Sequence, residues 1–179
     1  VSGSTRKLES SPAGIHWLAI PHQDEGCWQR MLGIAPYYTP HIATRGTAIS
    51  ELAPHEGATY PYPILVTLEQ QTESLVYSLT RVLHEGFADY RNADPGALGW
   101  DIERQNFTWV VPFHHGAIRY FKQVGVWSDE FEAHNNRLLT RQQVLADAWQ
   151  AMLTLGIEDK NEFSRTWMKL RALRLERAG

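Results

Sequence analysis

The period of hydrophobic and polar positions changes several times along the chain, and each change marks an element. The opening VSGSTRKLESS is polar and reads as the end of a helix followed by a turn at Pro12 to Gly14. In IHWLAI, Ile15, Trp17 and Ala19 alternate with His16, Leu18 and Ile20, so both faces are mostly apolar, which suits a strand buried in an α/β sheet. Asp24 and Glu25 favour a helix start and Gly33 stands where a C-cap belongs, predicting a short helix over 24–32. From Ile34 to Pro63 the chain is rich in Pro, Thr, Gly, Tyr and His and has no helical period. It reads as a long irregular or extended segment, and long ordered loops usually carry function. Ile64 to Leu68 is a continuous apolar run after prolines that a strand tolerates only at its beginning, and predicts a second strand.

Helices dominate the remainder of the chain. Thr72 is a candidate N-cap for a helix to about Tyr90, with Leu75, Leu79, Val82, Leu83, Gly86 and Tyr90 on one stripe. NADPGALG stops it, and residues 101–111 fit a short helix followed by an extended FTWVVP. A short helix ends at Gly125, and Ser128 or Asp129 caps a longer one to about Leu153, with Phe131, Leu138, Leu145, Trp149 and Met152 on one side. Phe163, Trp167, Leu170 and Leu173 mark a final amphipathic helix. Strands separated by helices predict α/β layers, although two strong strands are few for a complete sheet.

Composition narrows the classes of function. At 179 residues the chain has the length of about one domain and can bury a core without disulfides. Its 43% hydrophobic and 21% charged residues belong to a packed fold, and a formal charge of -3 gives no reason to expect nucleic acid as a partner. Cys27 is the single cysteine and forms no internal disulfide, which leaves the redox compartment open. No stretch approaches the ~20 apolar residues of a membrane span, so the chain is not expected to cross a membrane. VSGSTRKLESS lacks the apolar core of a signal peptide, so an export signal is expected to lie upstream or to have been removed.

The chemical constellations mostly fail their tests. His114 and His115 are adjacent and diverge by ~100° on a helix, and neither H-x-x-x-H nor C-x-x-C occurs, so no metal is expected. Nothing around Cys27 suggests a thiolate, and G-x-S-x-G, G-x-G-x-x-G and the Walker pattern are absent. Asp94, Asp101 and Glu103 read as solvated loop charges. Arg165, Lys169, Arg171, Arg174 and Arg177 surround the last helix instead of forming one stripe, as on a solvated, partner-facing helix. APYYTPHIATRG stands apart, because Tyr37, Tyr38, His41 and Arg45 share a segment that neither helix nor strand explains. A buried arginine there would form a fork with a carboxylate or phosphate; an exposed Arg45 is the other reading.

VPFHHGAIRYFKQVGVW resembles the P-L-H-P-G-A-x-R-Y-Y-K-E-x-G block of the TAXI family, the solute-binding subunits of TRAP transporters. In the same order, IHWLAIPHQDE is similar to the family's strand and acidic helix start, APYYTPHIATRGTA to its crossing segment Y-x-P-x-x-I-P-A-G-T-Y, and LVYSLTRVLHEGFADY to its V-Y-x-L-T-K-A-L-F-E helix. AHNNRLLTRQQVLADAWQAM is similar to the tail of some members, and the blocks together cover about residues 8–153. The histidine pair then reads as a helix start, His115 taking the place of the family's proline at the first helical position.

The resemblance implies a type II periplasmic-binding-protein fold, two α/β lobes joined by crossing strands, represented here by its later part. On that pattern residues 1–33 end the distal lobe, 34–59 form the crossing or hinge segment, 60–155 an α/β lobe with C-terminal helices, and 156–179 a helical extension. The family's small-residue ligand loop has no counterpart, so the chain is expected to be a fragment, a processed chain or one part of a longer protein. Thr44-Arg45-Gly46-Thr47-Ala48 replaces the family's P-A-G-T-Y. The implied function is a periplasmic subunit that captures a small organic anion and delivers it to a TRAP membrane permease, with no catalysis and no cofactor. Arg45, supported by Thr44, Gly46 and Thr47, is expected to meet the ligand carboxylate, while Tyr37, Tyr38 and Tyr60 shape the wall. An extracytoplasmic sensor presenting its closed form to a receptor, and an enzyme on the same fold, are the alternatives.

Overall fold

A computed structural model describes residues 3–178. They fall into two compact units divided between Tyr62 and Pro63. The first contains helix α1 (Gly3–Glu9), helix α2 (Glu25–Ile34) and a two-stranded antiparallel ribbon, β1 (Thr39–Ala43) with β2 (His55–Thr59). Thr39 pairs with Thr59 and Ala43 with His55, which fixes the register of the ribbon. Pro40 is tolerated because both strands of a two-stranded sheet are edges. Asp24 caps α2 by accepting the Cys27 N–H at 2.8 Å, as its position predicts. Gly33 lies inside this helix, which continues one residue beyond it.

The strand expected at 15–20 does not form. This stretch is a strap that reaches the ribbon at a few points: the Ile20 N–H donates to the Glu56 carbonyl at 3.0 Å, and the His22 N–H to the Glu56 carboxylate at 2.8 Å. The His22 ring adds a 2.9 Å hydrogen bond to the Gly57 carbonyl and stands edge-on to the buried Trp28. Strap and ribbon touch through side chains as much as through backbone, so no ladder propagates.

The second unit is helical: α3 (Glu73–Glu85), α4 (Phe87–Tyr90), two 3-10 turns at Pro95–Trp100 and Ile102–Arg104, α5 (His115–Gln123), α6 (Asp129–Leu153) and α7 (Lys160–Ala178). The second expected strand is also missing. Leu65, Val66 and Leu68 are 54%, 72% and 71% exposed, and no strand among the described residues pairs with them. An extended run keeps its ladder only beside a partner edge, and the helical unit supplies none. Among the described residues the architecture is therefore mixed helix and sheet with one small ribbon, compatible with an α/β class, its two strands lying at 39–43 and 55–59 and not at 15–20 and 64–68 as expected from sequence.

Two contacts organise this unit. Gly116, in the first turn of α5, lies against α3 so closely that a β-carbon there would collide with the Glu73 carbonyl and come within 2.8 Å of the Tyr77 nitrogen. Around that approach Arg119 lies 4.1 Å over the Tyr77 ring and pairs with Glu73 at 2.8 Å, and the buried Tyr120 hydroxyl meets His84 Nδ1 at 2.8 Å. Burial raises the Tyr120 phenol above its ordinary range, with Glu85 adding to the effect. The contact corrects part of the predicted face of α3: Val76 is buried and Leu75, Leu79 and Val82 are exposed, while Leu83, Gly86 and Tyr90 of the predicted stripe are half-buried. Apolar residues occur on both sides of this helix, so the stripe alone does not decide which one α5 covers.

The second contact is aromatic. Phe107 is buried with the rings of Phe113, Phe121, Trp127 and Phe131 at 5.6, 5.0, 5.6 and 5.1 Å. Each such pair adds roughly 0.5–1.5 kcal/mol beyond area burial. Buried Asn135 accepts the Phe113 N–H at 2.7 Å and ties α6 to this cluster. Farther along α6, Ala148 and Met152 are buried, and Trp149 meets the Phe163 and Trp167 rings of α7 edge-on, close to the pattern read from sequence.

Gly116→Ala is expected to destabilise the chain by roughly 1–3 kcal/mol through overpacking, measured as a lower urea midpoint. A pH effect arises at Glu132, which accepts from Lys122 Nζ at 2.8 Å and Trp127 Nε1 at 2.7 Å. The Lys122 bond, and then the Trp127 bond, hold its carboxyl below the ordinary range. Folding thus favours the ionised form, and that stability is present above the ordinary carboxylate range and lost as pH falls through the depressed value. Glu132→Gln should lower the melting temperature at neutral pH, with the gap to the parent closing on acidification.

Candidate functional site

The histidine pair that opens α5 builds the helix start. His114 is the N-cap: its Nδ1 accepts the Gly116 N–H at 3.0 Å, while Nε2 faces the carbonyls of Glu69 and Gln71 at 3.2 and 3.1 Å. A neutral ring carrying its proton on Nε2 satisfies all three contacts. His115 is the first helical residue and is exposed. Among the described residues no group of three or more His, Cys, Asp or Glu is arranged to hold a metal, and no helix is long and apolar enough to cross a membrane.

The residues singled out in the crossing segment all belong to the first unit, at two ends of the ribbon. Tyr38 immediately precedes β1 and Tyr60 immediately follows β2, so the register sets them side by side; their rings meet edge-on at 6.4 Å, and Tyr37 stacks at a tilt on Tyr38 at 4.7 Å. Tyr37 and Tyr60 are exposed. Thr44, Arg45, Gly46 and Thr47 leave β1 at the other end, six residues beyond Tyr38 at Thr44, or roughly 20 Å at ~3.3 Å per residue. The ribbon thus gathers the tyrosines into one cluster and the Thr44–Thr47 stretch into another.

The second cluster departs from ordinary loop behaviour. Thr44, Arg45 and Gly46 are exposed, and Arg45 pairs with no carboxylate among the described residues. Thr47 is only 4% exposed, and its hydroxyl is buried without a hydrogen-bond partner among the described residues. A buried orphan hydroxyl costs about 1–3 kcal/mol, and such groups call for a physical account. The next residue, Ala48, has φ of 57°, in the left-handed region that a β-carbon disfavours by roughly 1–2 kcal/mol. Gly46 and Ile49 close the turn as an isolated antiparallel bridge.

This turn is held from outside. The Trp17 indole N–H donates to the Thr47 carbonyl at 2.8 Å, and the Glu9 carboxylate accepts the Ala48 N–H at 3.0 Å. Neither residue stands out in the sequence. Trp17 is absorbed into an apolar alternation, and Glu9 sits in a polar opening, 39 residues from its partner. Within four residues, Arg45 to Ala48, lie a guanidinium without a carboxylate partner and a hydroxyl without a hydrogen-bond partner among the described residues, and a strained, externally clamped backbone. Chemically the exposed guanidinium can donate to an anionic oxygen by a planar fork, and the hydroxyl singly to an oxygen that reaches its buried position.

Two substitutions test the turn. Thr47→Val should raise stability by roughly 1–3 kcal/mol, because it replaces the orphan hydroxyl with a methyl group of similar shape. Ala48→Gly should be stabilising or neutral, by up to about 1 kcal/mol, as the left-handed backbone is relaxed. Chemical denaturation of both variants reads the sign.

The model of the NMT1-like family matches residues 13–125, more than half of the chain. No curated protein and no solved structure matches it. The matched span includes the strap, the ribbon, its turn, α3 and α5, and leaves α6 and α7 outside. The chain belongs to the NMT1-like family, a periplasmic-binding-protein-like family of solute-binding proteins.

Proposed function

We propose that this NMT1-like chain is a non-enzymatic, extracytoplasmic solute-binding protein that captures a small organic carboxylate and passes it to a TRAP-type membrane permease. The observation that carries the reading is the nearness in the chain, at one clamped turn, of a buried Thr47 hydroxyl and an exposed Arg45 guanidinium that have, respectively, no hydrogen-bond partner and no carboxylate partner among the described residues. Capture of a carboxylate needs a charge-assisted fork and a neutral donor held in place before the ligand arrives, so that little ordering cost falls on binding. Arg45 supplies the fork, Thr47 the neutral donor, and Thr44 and Gly46 the backbone from which both project. The resemblance to the TAXI family across the crossing segment supports delivery to a permease.

The tyrosines have a different part. A carboxylate of a few carbons held at Arg45 does not span the roughly 20 Å to Tyr38, so only a solute with a long apolar body touches both clusters. For a compact solute, Tyr37, Tyr38 and Tyr60 serve the ribbon's own packing and the Thr44–Thr47 stretch alone sets affinity.

Native mass spectrometry of protein purified from its source is expected to show a retained small acid. Calorimetry against a panel of acetate, pyruvate, succinate, glutarate and glutamate should then find a carboxylate whose affinity falls roughly ten- to a hundredfold in Arg45→Ala, the loss of one charge-assisted contact. Thr47→Val should bind more weakly while being more stable. Unchanged affinity in Arg45→Ala would remove that residue from the site, and turnover of any panel acid would replace the reading with an enzyme.

A further inference from the structure

We infer that Trp17 and Glu9 are positioning residues, which hold the Thr47–Ala48 peptide so that the Thr47 hydroxyl, buried and unbonded in the free chain, is kept in place for the solute. The inference rests on the reading of Thr47 as a solute contact and adds to it two residues that never touch the ligand.

The two restraints act on opposite sides of one peptide group. Trp17 Nε1 grips the Thr47 carbonyl at 2.8 Å, and Glu9 Oε1 grips the Ala48 N–H at 3.0 Å. That carbonyl and that N–H both belong to the unit linking Thr47 to Ala48, so together they fix its orientation. The position is also where the backbone is least relaxed, with Ala48 at φ 57°. Left to itself an alanine turn would rotate back to a negative φ and carry Thr47 with it. Both grips come from far along the chain, from the end of α1 and from the strap. They therefore exist only in the folded unit and pre-set the turn before any solute is present. The result is a hydroxyl on a residue held at 4% exposure, beside a peptide group engaged at both ends, with its own bonding capacity unused. A turn serving only as a link between two strands has no need of such a clamp, since the Gly46–Ile49 bridge already closes it.

The test has two arms on the chain as it exists. Without solute, amide hydrogen exchange is followed at Thr47 to Ile49 and, as an internal control, at Trp28 in α2. Trp17→Phe keeps an aromatic ring but loses the donor, and Glu9→Ala loses the acceptor. Each should speed exchange at the turn by about tenfold or more with Trp28 unchanged, and Glu9→Gln, which retains an acceptor, should restore protection. With succinate or whichever panel acid the parent binds, Trp17→Phe and Glu9→Ala should weaken affinity about fivefold or more at an unchanged melting temperature, and Glu9→Gln should recover most of it. Exchange rates that stay at the parental value, or affinity that survives a loosened turn, would overturn the inference. A parent that binds no acid while its turn responds as described would defeat the solute reading, and the inference with it, and would leave the clamp as a purely structural feature.

Discussion

A ribbon of two five-residue strands has too little surface to stand by itself in water, and the first unit is organised around that deficit. The strap through residues 15–22 supplies what the ribbon lacks, bonding Glu56 and Gly57 on β2 and burying Trp28 behind His22. Once the strap is fixed there, Trp17 falls within reach of the Thr47 carbonyl, and the turn at the end of β1 acquires its shape. The candidate site is thus a consequence of how the ribbon is propped. A change that loosened His22 from Glu56 would be felt at Thr47 although the two are distant in sequence.

The same logic separates the legible parts of the sequence from the illegible ones. Helix starts were legible because their signals are local: Thr72 and Ser128 are N-caps of α3 and α6 as read from sequence, Ser128 with a side-chain bond and Thr72 without it, and Asp24 and His114, read as parts of helix starts, cap α2 and α5. The α6–α7 seam was legible because its period is carried within each helix. Strands were not, because a strand is completed by its neighbour. IHWLAI and ILVTL have the right residues but form no ladder: the first touches β2 only near its end, through Ile20, and the second has no strand partner among the described residues. Conversely TPHIA and HEGAT, with proline, glycine and few large apolar side chains, form the ribbon because residues 44–54 return the chain directly from one to the other.

Packing choice was equally hidden. The stripe through Leu75, Leu79 and Val82 is a sound amphipathic face, yet α5 lies on the Val76 side. The deciding feature is Gly116, whose missing β-carbon lets the two backbones meet, and only on the face where Tyr77 and Glu73 can receive Arg119. A glycine at a helix start normally reads as a capping accident; here it sets which half of α3 belongs to the core. Of the site itself, the segment was legible from its Tyr, His and Arg content, whereas the separation of its tyrosines from its arginine was set by register, and its two supports by the strap and the end of α1.

Thr47 and Ala48 are where the energetics of the turn bear on the proposed solute contact. An orphan hydroxyl and a left-handed alanine are each unfavourable, by about 1–3 and 1–2 kcal/mol, and a valine and a glycine would remove both without disturbing the ribbon. A domain is stable by only about 5–15 kcal/mol in total, so the two together are a sizeable fraction of the margin. Local strain of this kind persists where the surroundings over-determine it, and the surroundings here are two hydrogen bonds from remote segments converging on one peptide group. On the proposed reading, pre-organisation and orphan polarity have a single cause. A donor that must meet an incoming carboxylate cannot also be satisfied inside the protein, and it binds well only if it is already aimed. On the proposed reading a bound oxygen would satisfy the Thr47 hydroxyl, while the strain at Ala48 is carried by the two clamping hydrogen bonds.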